Sequence, residues 1–108
     1  MEQITLDMIP KGQRPNVHVS KGDIGRTFRV NLTENGTPYT LAGTEDIKLN
    51  ILKPDGSTVT EAITASVGTY VDIATTSDMT DTEGVSYAKL RIDDIGPKAF
   101  CLVVEVKP

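Results

Sequence analysis

Apolar and polar residues alternate along most of this chain with a period of two, the pattern of strands that turn one face to a core and the other outward. Ile4, Leu6 and Met8 alternate with Gln3, Thr5 and Asp7, and Val17 and Val19 with Asn16, His18 and Ser20. Ile24, Phe28, Val30 and Leu32 share one face, opposite Thr27, Arg29 and Asn31. Arg26 falls on the apolar side of that run, so either the strand begins after it or a bulge resets the register. Ile47, Leu49 and Ile51 oppose Asp46, Lys48 and Asn50; Ala88, Leu90 and Ile92 oppose Tyr87, Lys89 and Arg91. In the last run Phe100, Leu102, Val104 and Val106 form one face, and Ala99, Cys101, Val103 and Glu105 the other. With both faces mostly apolar, that strand is expected to be central in its sheet or covered by a partner.

Turn chemistry separates these runs. Asn35 and Gly36 both tolerate the positive φ of a type I′ hairpin turn. Lys53-Pro54-Asp55-Gly56 puts Pro second and Gly fourth, which suits a type I turn. Gly22, Gly68, Gly84 and Gly96 mark further reversals. Pro38 has no N–H for a ladder, which assigns its stretch to a sheet edge. Thr75 to Gly84 lacks apolar periodicity and reads as a long loop with one helical turn after Ser77. About eight short strands with frequent turns predict an all-β fold, a single-domain antiparallel β-sandwich of two immunoglobulin-like sheets spanning residues 1–108.

Composition narrows the function classes. With 108 residues, 38% hydrophobic and 24% charged, the chain suits one globular domain and is too apolar for disorder. There is no Trp, with two Phe and three Tyr, so Ile, Leu and Val must build the core. A net charge of −4 without clustered Lys and Arg argues against a nucleic-acid partner. No stretch approaches the ~20 apolar residues of a spanning helix, and MEQITLDMIPKGQRP lacks the basic start and apolar run of a signal peptide, so no membrane role is expected. The single cysteine, Cys101, excludes an internal disulfide and suits synthesis in a bacterial cytoplasm.

No catalytic, cofactor-binding or metal-ligating set is expected from the sequence. His18, the one histidine, lies on the polar side of its strand and has no evident nucleophile to serve as a base. Cys101 in an apolar strand reads as a small buried hydrophobe, since a reactive thiol needs an electropositive, partly exposed setting. Asp78, Asp81 and Glu83 do not match the spacing of a calcium loop, and Asp93-Asp94 reads as a turn. Lys21-Gly22-Asp23 fits a turn between strands. The sequence therefore predicts a non-enzymatic protein without cofactors.

One run carries a resemblance. From Val17 to Gly56, VHVSKGDIGRTFRVNLTENGTPYTLAGTEDIKLNILKPDG resembles the N-terminal domain of phage upper baseplate proteins. That family has a strand ending in a QGD-like turn, then GRTF and a strand, a hairpin of the form NG.PYDL.G, and a strand leading into KPDG. The corresponding pieces are Lys21-Gly22-Asp23, Gly25-Arg26-Thr27-Phe28, Asn35 to Leu41 and Lys53-Pro54-Asp55-Gly56. The opening ITLDM and the late VSYAKLRIDD are also similar. Lys21 stands where the family has Gln, and members usually continue into a helical stalk and a distal domain, whereas this sequence stops at Pro108.

The resemblance implies a β-sandwich that anchors a tail-baseplate or fibre appendage in the virion through protein–protein contacts with other phage structural proteins. It further implies a homo-oligomer, with three copies around a stalk in many members. A capsid decoration or head-fibre base would use the same sandwich, and a carbohydrate-binding domain for host recognition is the alternative of another class. Scarce aromatics, with Tyr39, Tyr70 and Tyr87 the only tyrosines, weigh against sugar binding. For docking, the apolar N-terminal residues Ile4, Leu6, Met8 and Ile9 are the expected partner interface, set against simple pairing of that strand within its own sheet.

Overall fold

The computed structural model describes residues 2–7, 15–93 and 95–106. Nine strands and one helical turn follow in order: β1 (Glu2–Asp7), β2 (Asn16–Ser20), β3 (Thr27–Glu34), β4 (Thr37–Pro38), β5 (Ile47–Leu52), β6 (Thr58–Ile63), β7 (Tyr70–Ala74), α1 (Ser77–Thr80), β8 (Gly84–Ile92) and β9 (Ile95–Glu105). They form a β-sandwich, as the alternation predicts. In one sheet β3 is central, with β1 along one side and β7 followed by the short β4 along the other. The second sheet has five strands in the order β2-β9-β8-β5-β6.

Two ladders depart from an all-antiparallel arrangement. β1 runs parallel to β3, with Ile4 opposite Val30 and Leu6 opposite Leu32. β2 runs parallel to β9, with Val17 opposite Leu102 and Val19 opposite Val104. The cause is topological: β1 and β2 follow each other in sequence but belong to opposite sheets, so each pairs with a strand distant along the chain rather than in a hairpin.

The core fills the space between the sheets with the residues that alternation placed inward. Phe28, Val30 and Leu32 of β3, Val71 and Ile73 of β7, and Ile4 and Leu6 of β1 come from one side. Ile47, Leu49 and Ile51 of β5, Leu90 and Ile92 of β8, and Phe100, Leu102 and Val104 of β9 come from the other. Phe28 and Phe100 meet edge to face, with ring centroids 6.0 Å apart. Burying one such side chain contributes roughly 1.5–3 kcal/mol, which makes this layer the main source of stability.

Local chemistry fixes the reversals. Asn35 (φ 50°) and Gly36 (φ 84°) both take the left-handed conformation of the primed hairpin turn between β3 and β4. Pro38 sits on the two-residue edge strand, opposite Thr33. The Gly56 N–H donates to the Lys53 carbonyl at 3.0 Å, closing the turn between β5 and β6. The helical turn expected after Ser77 is α1. Ile24 differs from its expected face: it is 71% exposed, because Gly25 (φ 75°) turns the chain and β3 begins only at Thr27. Val106 likewise leaves the inward face and is exposed, lying beyond the end of β9.

Candidate functional site

The two outward faces of the sandwich differ in chemistry. On the four-stranded sheet several outward groups pair with one another. Arg29 donates to both carboxylate oxygens of Asp72 at 2.8 and 3.1 Å and lies 3.8 Å over the Tyr70 ring. The Arg29 guanidinium holds the Asp72 carboxyl below the usual carboxylate range, and Asp72 in turn raises Arg29. The Asn31 amide donates to the Gln3 side-chain oxygen at 3.2 Å, and the Thr33 hydroxyl to Asp7 at 2.9 Å.

The five-stranded sheet turns a banded surface outward. Leu52, Tyr87 and Cys101 stand in one row across β5, β8 and β9, and Val85 and Val103 in the next. Leu52, Val85 and Tyr87 are all exposed, at 47%, 43% and 49%. Toward one end the outward residues become Asn50, Lys89 and Ala99, then Lys48 and Arg91. Toward the other end they become Glu105 on β9, with the exposed Glu83 just before β8. The exposed members of this band, Leu52, Val85 and Tyr87, lie side by side on β5 and β8.

His18 and Cys101 lie on this same outward face. Their register is set by the parallel β2–β9 ladder, in which Asn16 is opposite Cys101 and His18 opposite Val103. The His18 ring is directed to Glu105, with Nδ1 2.8 Å from the carboxylate, while Cys101 is buried among its neighbours. Alternation alone put each on a strand face; only the pairing of two distant strands shows that they share one.

The acidic loop has structural employment. Asp81 takes the Lys53 ammonium and a hydrogen bond from the Thr82 hydroxyl at 3.0 Å. Among the described residues, no group of three or more His, Cys, Asp or Glu is arranged to hold a metal ion. Asp94 lies outside the described residues. A shallow polar groove is lined by Asp46, Lys48, Arg91 and Asp93. Two of its four groups are tied together, since the Asp46 N–H donates to the Asp93 carboxylate at 2.7 Å and the Asp93 N–H to the Asp46 carbonyl at 2.8 Å.

Of the N-terminal residues expected to dock a partner, Ile4 and Leu6 are buried in the domain's own core. Met8 and Ile9 lie outside the described residues. What β1 does offer is a backbone edge, since among the described strands it pairs only with β3.

No protein-family model matches the chain, and no curated protein matches it. Its fold is similar to that of the N-terminal domain of phage TP901-1 ORF48, over 96% of this chain and 97% of that one, with a TM-score of 0.76 and 14% sequence identity.

Proposed function

We propose that this domain is a structural component of a phage virion, most specifically an anchoring module of the tail baseplate, acting through protein–protein contacts and not through catalysis. The observation that carries this reading is the likeness of fold to the N-terminal domain of phage TP901-1 ORF48 over nearly the whole of both chains. The ordered turns from Lys21 to Gly56, which resemble those of phage upper baseplate proteins, point the same way. Arg29, Asp72, Asn31, Gln3, Thr33 and Asp7 on the four-stranded face pair with one another, and the outward apolar residues of the other face form a band rather than a pocket, which suits a packing role.

Docking through the N-terminal segment of Ile4, Leu6, Met8 and Ile9 belongs to this proposal in a modified form. The side chains of Ile4 and Leu6 face the core on β1, and the edge of β1 that no described strand pairs is the part that would receive a strand from a neighbouring virion protein. Immunogold labelling of assembled particles with an antibody against this chain tests the assignment. Label at the tail baseplate is the expected outcome. Label on the capsid would move the domain to a head structure, and particles without label would overturn a virion role altogether.

A further inference from the structure

The central strand of the outward apolar band carries a charge order that is its own complement when reversed. From Asp81 to Arg91 every second residue is exposed and runs Asp81, Glu83, Val85, Tyr87, Lys89, Arg91: two acids, two apolar side chains, two bases. The midpoint is Ser86, which points inward and is buried. Neighbouring strands extend the pattern sideways, with Cys101 and Val103 beside the apolar pair and Lys48 beside Arg91. Among the described residues neither Glu83 nor Lys89 has a charged partner.

We infer that this face packs against the same face of a second copy, with β8 crossing β8 antiparallel about a two-fold axis at Ser86. A two-fold interface brings one patch against itself, so the patch must be self-complementary. In this arrangement Lys89 lies over Glu83 of the second copy, and Arg91 falls toward its Asp81, whose half-exposed carboxylate also takes Lys53. Tyr87 meets Val85, with Val103 of β9 beside Val85, so apolar atoms cover apolar atoms. Every contact occurs twice. Stacking the two strands parallel would instead set Lys89 on Lys89 and Glu83 on Glu83, so the charge order selects the antiparallel pairing. The other outward face offers no such partner, because Arg29 is already bound to Asp72 and Thr33 to Asp7. The inference stands on this face alone and is independent of any virion role.

Sedimentation velocity of the full chain, over concentrations from roughly micromolar to millimolar, reads it out directly. The expected result is a concentration-dependent dimer that weakens as salt screens the charge pairs. Lys89→Glu and Glu83→Lys, each alone, place like charges in contact and should weaken dimerisation at least about tenfold. The double variant K89E/E83K restores opposite charges across the two-fold axis and should recover dimerisation. Both sites are exposed, and circular dichroism checks that every variant folds. A monomer at all concentrations overturns the inference. So does a dimer indifferent to the single reversals, or one that the double exchange fails to rescue.

Discussion

The Lys53 ammonium, on a side chain only 7% exposed, ends on the carboxylate of Asp81, which is itself 52% exposed. Lys53 opens the turn between β5 and β6, and Asp81 follows α1, so the pair ties two connections at one end of the sandwich. The same two connections meet again where Gly84 passes Pro54 so closely that a Cβ on Gly84 would come within 3.0 Å of the proline ring. An enclosed ammonium is tolerated because its countercharge is in place. Removing the carboxylate strands the charge, whereas replacing the lysine with a neutral side chain of similar length removes the need for it. Asp81→Asn should therefore lower the melting temperature more than Lys53→Met. Calorimetry on the two variants checks the order, and the reverse order would mean that Lys53 serves mainly as packing.

Acid sensitivity follows from several carboxylates held below their ordinary range. Arg29 does this to Asp72, Lys53 to Asp81, the Ser57 side chain to Asp55, and the Ala42 N–H to Glu45. A carboxyl group with a lower pKa in the folded chain binds fewer protons there than when unfolded. Its stabilisation is complete above the unfolded value, near 4, and is lost as pH falls through the folded one. Lys53 behaves in the opposite sense. Asp81 raises its pKa, so its share is present below about 10.5 and is lost at higher pH as the ammonium deprotonates. Urea midpoints should be level from about pH 5 to 10 and fall outside that window. Asp72→Asn and Asp81→Asn should each flatten the acid limb, and a midpoint unchanged at pH 3 would refute the link.

Phe28 and Phe100 join the two sheets through an edge-to-face contact of fully buried rings. Replacing either with alanine removes the transfer energy of the ring and leaves a cavity that the close-packed layers cannot fill. Phe100→Ala is expected to cost about 3–5 kcal/mol, a large share of the stability of a domain this size. Urea denaturation of the variant measures it. A loss below about 1 kcal/mol would mean that the sheets repack around the gap.

How far the sequence revealed this molecule depends on the range of the interaction concerned. Alternation located the inward residues of β3, β5, β8 and β9 because each side chain's face depends only on its own strand. Asn35-Gly36 was legible for the same reason, since a primed turn is specified by the residues that form it. Ile24 was misplaced because the period continues through Gly25, whose positive φ ends it. The parallel ladders of β1 with β3 and β2 with β9 were hidden, as no local pattern names a partner far along the chain. Lys53 was legible as the first residue of a turn, but its burial depends on Asp81 in another connection. The apolar N-terminus exposes a further ambiguity: Ile4 and Leu6 alternate identically whether they cover the domain's own core or a partner's. The doubly apolar β9 was the one sequence signal toward the outward band: the strand lies inside its sheet between β2 and β8, with Cys101 and Val103 on the outer side.

Asp7 locks the end of β1 to the hairpin turn of the neighbouring strand. Its carboxylate accepts from the Asn35 and Gly36 N–H groups, each at 2.9 Å, and from the Thr33 hydroxyl at 2.9 Å. Those two amides belong to residues held at positive φ, a conformation that costs Asn35 some energy and that the carboxylate stabilises by binding the N–H groups it presents. Hydrogen bonds to an ionised acceptor are worth more than neutral ones, although the solvent around this turn reduces their net value. Asp7→Ala should cost about 1–3 kcal/mol, and Thr33→Val, which loses the hydroxyl bond alone, about 0.5–1.5 kcal/mol. Hydrogen exchange separates a local lock from a general loss of stability. The amides of Asn35, Gly36 and β1 should exchange faster in Asp7→Ala than the global change predicts, while those of β5 and β8 should follow the global change alone. Uniform acceleration across both sheets would show that β1 unfolds only with the whole domain, and that Asp7 adds to its stability without controlling its edge.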